Sequence, residues 1–302
     1  MTTRAVGRRS VLACAAALPL TAALPARAAA TASSSRYTMT AFTAASEHDL
    51  YVYESADALT FELLRGPAYR PPSGVMRDPS IFRHADGAYY LAYTPSGSGH
   101  SIGFARSADR ISWTHLYDYP VPVPRIEACW APEWFVDGDV HVIVSLGDGR
   151  RFVPYVLTAA DSALRSWNAP TPMAGIEPGP LDLTSIGYID TTVVRLDDRY
   201  YAFANNETTK YIELAVAPTL LGPYTFLGTG DWAGWGTPRE GQSLIRLPDG
   251  GQRIYFDAYT TGKYFYSDSY DQFRTWTPPR ELPGLSGTIR HATVFSEGID
   301  RR

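Results

Sequence analysis

The chain has 302 residues, 45% of them hydrophobic and 19% charged, the composition of an ordinary folded domain rather than of a disordered segment. Its formal net charge of −4 supplies no basic footprint for nucleic acid. The six histidines show no zinc-ligand spacing, and neither a glycine-rich phosphate loop nor a Gly-x-Ser-x-Gly elbow occurs, which leaves a zinc module, a nucleotide-binding loop and a serine hydrolase without support.

At the N-terminus Arg8-Arg9 precede an apolar run from Val11 to Leu24, too short to span a bilayer. Ala26-Arg27-Ala28 then offers a small-x-small cleavage site. Residues 1–28 read as an export signal of twin-arginine type, residues 29–36 as an Ala/Ser linker and residues 37–302 as the folded domain. A secreted monomer is expected, with no nucleic-acid partner and no membrane attachment after cleavage. Cys14 leaves with the signal, so Cys129 has no disulfide partner and is expected as a buried structural thiol.

From residue 55 onward a phrase recurs: a small residue, an Asp, and an aromatic a few residues on. Its copies are Ser55-Ala56-Asp57 to Phe61, Ser107-Ala108-Asp109 to Trp113, Ala159-Ala160-Asp161 to Trp167, Ala215-Val216-Ala217 to Tyr224, and Ser267-Asp268 to Trp276. The aromatic ends at 61, 113, 167, 224 and 276 step by 52, 54, 57 and 52 residues. Near-equal steps over most of a chain mean one supersecondary unit repeated. Period-two runs rich in β-branched and aromatic residues make that unit of strands. A four-stranded unit of this length is a propeller blade, so the fold class expected is all-β, a five-bladed β-propeller around a central channel. With the chain ending soon after the fifth inner strand, residues 37–61 are expected to complete the last blade beside residues 288–296.

Each repeat opens with a polar group and a hydrophobic stretch: Arg77-Asp78-Pro79-Ser80-Ile81-Phe82, Trp130-Ala131-Pro132-Glu133-Trp134-Phe135, Ile189-Asp190-Thr191-Thr192-Val193-Val194, Arg239-Glu240-Gly241-Gln242-Ser243-Leu244 and Arg290-His291-Ala292-Thr293-Val294-Phe295. Turn signals and a second strand follow, a hairpin signature, so these openings are the inner strands and their starts gather at one mouth of the channel. Aligned on the hydrophobic pair, the first positions are Asp78, Ala131, Asp190, Glu240 and His291. A carboxylate at a strand start ordinarily serves a turn. Three at equivalent repeat positions do not fit that reading, because packing gains nothing from like charges around one channel; such clusters serve catalysis or cation binding. Two carboxyl groups in opposite protonation states cleave a glycosidic bond, and a third can raise the pKa of the acid; spacing alone does not say which is which.

The ordered set of Arg77-Asp78-Pro79-Ser80-Ile81 with Gly87-Ala88-Tyr89-Tyr90-Leu91, Trp130-Ala131-Pro132-Glu133, Ile189-Asp190, Glu240-Gly241 and Arg290-His291 resembles glycoside hydrolase family 43, the five-bladed propeller arabinosidases, xylosidases and arabinanases. The resemblance runs from about residue 75 to 295; no single tetrapeptide is specific, the order is. It implies an inverting glycosidase acting on arabinose- or xylose-containing carbohydrate, with Asp78 as general base, Asp190 as pKa modulator and Glu240 as general acid. It implies no required cofactor, and places His291 where a channel histidine stands near a calcium or a water cluster. Thr191-Thr192 after the modulator and Gln242 after Glu240-Gly241 depart from the family's usual prolines and blur the substrate subclass. The leading expectation is an exo-acting α-L-arabinofuranosidase or related pentosidase. Its alternatives are a β-xylosidase, an arabinanase, a fructosidase-type propeller and a non-catalytic sugar-binding propeller. Arg-Asp-Pro-Ser in place of Asn-Asp-Pro-Asn argues against the fructosidase. Candidate substrate contacts are Trp130, Trp235, Arg290 and His291, the rings through sugar C–H faces. Trp232 lies in the same glycine-rich loop as Trp235, Arg77 adjoins a carboxylate, and Asn205-Asn206-Glu207 ends a strand near the cleft.

Overall fold

The computed structural model describes residues 1–3, 36–179 and 182–298. The chain divides into two units, Met1–Ser33 and Ser34–Arg302, and every element belongs to the second. The expected export signal and the bulk of the expected linker lie outside the described residues.

Five four-stranded antiparallel sheets make up the fold. Blade I combines β20 (Ile289–Glu297) with β1 (Arg36–Thr43), β2 (Ser46–Ser55) and β3 (Glu62–Tyr69). Blade II holds β4 (Arg77–Arg83), β5 (Tyr89–Thr94), β6 (Ser101–Ser107) and β7 (Trp113–Pro120). Blade III holds β8 (Ala128–Asp137), β9 (Asp139–Gly147), β10 (Phe152–Thr158) and β11 (Thr171–Pro172). Blade IV holds β12 (Tyr188–Leu196), β13 (Arg199–Asn206), β14 (Ile212–Ala217) and β15 (Thr225–Gly228). Blade V holds β16 (Glu240–Arg246), β17 (Gln252–Ala258), β18 (Lys263–Ser269) and β19 (Arg280–Glu281). The inner strands are β20, β4, β8, β12 and β16. The fold is a five-bladed β-propeller, and blade I is closed by the last strand pairing with the first, as the repeat arithmetic requires.

Side-chain pattern follows depth in the blade. The second strands β5 and β17 are buried at every residue, because a blade is packed on both faces; β17 carries buried polar Gln252, Arg253 and Asp257 around its apolar centre Ile254-Tyr255-Phe256. The outer strand β7 has no buried residue. Five apolar clusters join neighbouring blades. Tyr69 shares a cluster with Ile81, Phe104 with Trp134, Phe135 with Val193, Phe203 with Phe256, and Tyr264 with Met39. Each blade therefore buries both faces against two neighbours, which is how a ring of sheets stays stable without a disulfide. Cys129 is buried in the cluster between blades II and III, where burial pushes its thiol up to about 12.

The repeated phrase is the turn between the third and fourth strands of a blade. Asp57 Oδ1 accepts the N–H groups of Leu59 and Thr60, and Asp109 Oδ1 those of Ile111 and Ser112. Asp161 caps the same turn in blade III. In blade V the capping pair is Ser269 and Asp271 rather than Ser267-Asp268; Asp268 is instead held within the sheet by Arg253 on β17. Blade IV has no such Asp, and its turn closes through Thr219 Oγ1 donating to the Gly222 carbonyl.

Candidate active site

Every inner strand breaks its register near its start. The pairs on either side of the break are Arg77↔Thr94 and Ser80↔Ala92, Trp130↔Ser145 and Glu133↔Ile143, Ile189↔Asn205 and Thr192↔Phe203, Glu240↔Asp257 and Ser243↔Tyr255, and Arg290↔Phe42 and Thr293↔Thr40. A bulge re-aims the side chain it carries. At each break one residue takes positive φ: Asp78 (52°), Ala131 (49°), Asp190 (53°), Gly241 (60°) and His291 (34°). Strained backbone of this kind clusters at functional sites.

This register corrects the sequence alignment at one point. Glu240 is equivalent to Arg77, Trp130, Ile189 and Arg290, one residue before the bulge, and Gly241 is the equivalent of Asp78 and Asp190. The hydrophobic pair of blade V is Leu244-Ile245, not Ser243-Leu244. Glycine is required at the bulge because a Cβ on Gly241 would come 2.8 Å from His291 Cγ. The acid thus approaches from the neighbouring position on its strand, and still joins the others. Asp78, Asp190, Glu240, His291, Arg77, Thr94, Trp130, Ile189 and Glu207 line one small cavity of about 70 Å³.

His291 organises the charge there. Its Nδ1 lies 3.0 Å from Asp78 Oδ1 and 3.8 Å from Asp190 Oδ2. Burial opposes a charged imidazole, but the two carboxylates outweigh it and push His291 up to about 10. Burial also opposes the Asp78 charge. The His291 imidazolium, then Arg77 and the Thr94 hydroxyl, outweigh it and hold that carboxyl well below the usual range. Thr94 Oγ1 donates to Asp78 Oδ2 at 2.7 Å and accepts the Ala131 N–H at 2.9 Å.

Asp190 and Glu240 shift the other way. Burial pushes Asp190 up, and the charge of Asp78 adds to this against the pull of His291. Glu240 is raised by burial and then by the Asp190 charge, with His291 and Arg290 opposing. Asp190 has one neutral donor, the Gly241 N–H at 3.0 Å from Oδ2, and the His291 Nδ1 lies 3.8 Å from the same oxygen, which favours the charge on Asp190. The proton of this close pair therefore belongs on Glu240. One carboxyl is kept charged and another is biased toward neutral, across one cavity.

Several of these supports were not singled out in the sequence. Thr94, Ser145 and Asp257 sit opposite the bulges on second strands. Each accepts the N–H of the bulge residue of the next blade: Ala131, Asp190 and His291, at 2.9, 3.0 and 3.1 Å. A hydroxyl or Asp in a β-strand carries no such signal by itself; only superposing the five repeats exposes the position. In blade IV the same position is Asn205. Its N–H partner is taken by Asp190, and its own amide group makes no hydrogen bond. Glu207 lines the cavity with one oxygen on Lys210 Nζ.

The candidate substrate contacts separate. Trp130 lines the cavity, its Nε1 donating to the Gly97 carbonyl at 2.9 Å and its ring 4.5 Å from Phe152. Trp235 does not. It is 3% exposed, in the cluster between blades IV and V, with Phe256 at 5.3 Å and Trp276 at 5.0 Å. The glycine-rich loop folds back over the blade interface, so its tryptophan packs rather than projects. Arg290 contacts Glu240 Oε1 at 3.2 Å and is paired with Asp257 through its Nε.

Glu133, half-buried on the channel wall past the bulge, has its carboxyl pushed up to about 7 by desolvation. It accepts from Thr293 Oγ1 at 3.2 Å and lines a separate cavity of about 1010 Å³. Among the described residues no group of three or more His, Cys, Asp or Glu side chains is arranged to hold a metal. The calcium that the resemblance placed near His291 would take oxygen ligands rather than the imidazole, whose Nδ1 is engaged with Asp78.

No protein-family model matches the chain, and no curated protein matches it. Solved structures do. A thermostable family-43 glycoside hydrolase is similar with a TM-score of 0.62 at 18% identity, covering 82% of this chain and 93% of that one. An endo-1,4-β-xylanase from Bacteroides thetaiotaomicron gives 0.63 at 15% identity, covering 85% and 93%. An endo-arabinase from the same organism gives 0.53 at 17%, covering 83% and 89%. What the chain shares with these structures is the five-bladed propeller.

Proposed function

We propose that the protein is a secreted, inverting glycoside hydrolase that releases single pentose units, with an α-L-arabinofuranosidase as the leading assignment. The observation that carries the reading is the opposed electrostatics of one cavity, where His291 keeps Asp78 charged and burial beside Asp190 biases Glu240 toward its protonated form. Glycosidic cleavage by inversion needs that division of labour. Asp78 activates water, Glu240 protonates the departing oxygen, and Asp190 keeps the proton on Glu240. Trp130, which lines the cavity beside the carboxylates, offers a sugar ring an apolar face. The family-43 fold of the similar structures supports the same class of substrate.

The test is leaving-group dependence. Glu240→Gln should damage hydrolysis of unactivated arabino-oligosaccharides far more than of dinitrophenyl arabinofuranoside, since general acid help is worth on the order of 10²–10⁴-fold only where the leaving group needs it. Asp78→Asn should damage both together. Equal damage by Glu240→Gln on both substrates removes Glu240 from the role of acid. Sugar binding without turnover of arabinofuranoside, xyloside or arabinan makes the protein a binding propeller instead. The anomer first seen by NMR checks inversion, which also requires the Asp78 and Glu240 carboxyls to stand about 6.5–9.5 Å apart.

A further inference from the structure

The residue opposite each bulge is Thr94, Ser145, Asn205, Asp257 or Phe42. Latching the next blade's N–H needs only a neutral acceptor, as Thr94 and Ser145 show. At Asp257 the acceptor is instead a carboxylate with 0% exposure. A buried charge is retained where it is paired, and Asp257 is paired with more than the latch: its Oδ2 also accepts from Arg290 Nε. The other arm of Arg290 reaches Glu240 Oε1 at 3.2 Å. The guanidinium lies over the rings of Phe42 and Tyr259, at 5.6 and 5.7 Å, so its place does not depend on Asp257 alone.

We propose that Asp257 is a positioning residue that neutralises Arg290, so that the guanidinium orients Glu240 without stripping its proton. The inference rests on the reading of Glu240 as the general acid. An uncompensated cation in contact with a carboxyl lowers its pKa by about 1–3 units, which would leave the acid ionised and useless. With Asp257 on its other side, Arg290 presents hydrogen-bond geometry to Glu240 from a net-neutral pair. Other charged groups face Glu240 as well: Asp190 from β12 and His291 from β20, with Asp78, Arg77 and Glu207 on the same cavity. Asp257 in turn faces Arg290, the His291 backbone, Tyr264 from β18 and Arg239. Among the described residues, Arg290 is the cation in contact with Glu240.

Asp257→Thr tests this, because threonine keeps an acceptor for the His291 N–H, as Thr94 does for Ala131, and removes only the charge. Two readouts on the full chain are needed: the pH profile of kcat/KM on an unactivated arabino-oligosaccharide, and the ¹³C NMR titration of the Glu240 carboxyl. Both should move down by about one pH unit or more, and adding Arg290→Met to Asp257→Thr should move both back up. An unmoved or raised Glu240 titration overturns the proposal, as does a loss of rate at every pH with the basic limb in place. If Asp257→Thr does not fold, Asp257→Asn serves the same comparison. A basic limb that persists in Glu240→Gln overturns the acid assignment instead, while the Glu240 titration still decides the role of Asp257.

Discussion

His291 Nδ1 and Asp78 Oδ1 stand 3.0 Å apart, although one residue lies on the strand that closes the ring and the other on the first strand of blade II. Each changes the titration of the other: the imidazole is pushed up to about 10 and the carboxyl is held down. If Asp78 is the base, His291→Gln should raise its pKa by about one unit or more. The acidic limb of kcat/KM should then move to higher pH, since the base is lost to protonation sooner. A pH–rate profile of the variant checks this; an unmoved acidic limb would separate Asp78 from the base role.

The same pair sets a stability dependence on pH. His291 is raised in the folded state, so its contribution is fully present below its ordinary value of 6.5 and is lost as pH rises through about 10. Asp78 is depressed, so its contribution is present above 3.8 and is lost as pH falls through its folded value. Denaturant midpoints of the wild type should therefore fall between pH 6.5 and 10, and those of His291→Gln should fall less over that interval.

Asp190→Asn retains an oxygen for the Gly241 N–H but removes the charge next to Glu240. The basic limb of the rate profile should move to lower pH, because the repulsion that keeps the proton on Glu240 is gone. The steps belong to the coupled pair, so the comparison is of apparent values. A basic limb identical to the wild type's would contradict the modulator role.

Thr94→Val should cost about 1–3 kcal/mol in urea unfolding, the penalty for leaving the buried Ala131 N–H without its acceptor. It should also move the acidic limb up, since Asp78 loses a donor to its charged form. Thr94→Ser, which keeps the hydroxyl, should restore both.

Trp130→Ala and Trp235→Ala should fail in different assays. Trp235 is packed among Trp232, Phe256 and Trp276, so its truncation should lower stability by roughly 3–5 kcal/mol with little change in KM of the folded fraction. Trp130, half-buried at the cavity, should raise KM several-fold with a smaller stability change. A KM effect confined to Trp235→Ala would reverse this division.

The ring and most of its charged centre were legible in the sequence because both are written once per blade. Five turns at near-equal steps gave the blade count, and polar openings at equivalent places gave Asp78, Asp190 and His291. The misreadings have local causes. The serine of Gln242-Ser243-Leu244 was paired with the apolar residues of other blades, which shifted Glu240 onto the bulge that Gly241 occupies. Trp235 was placed by its glycine-rich neighbourhood, whereas three-dimensional packing against Phe256 decides its fate. Asp257 had no sequence signal: it directly follows the apolar run Ile254-Tyr255-Phe256 of β17, and its partner Arg290 is in another blade.

Ring closure by β20 also times the chemistry. Arg290 and His291 lie on the strand that pairs with β1 to shut blade I, so the charge balance of the cavity exists only once the two ends of the folded domain have met. A chain that lacks this pairing still holds Asp78, Asp190 and Glu240, but without the imidazole that holds Asp78 charged and the guanidinium that contacts Glu240. On the proposed reading, a chain that stops before Ile289 should lose activity although Asp78, Asp190 and Glu240 are all still present, because it lacks the two cations that divide their charge.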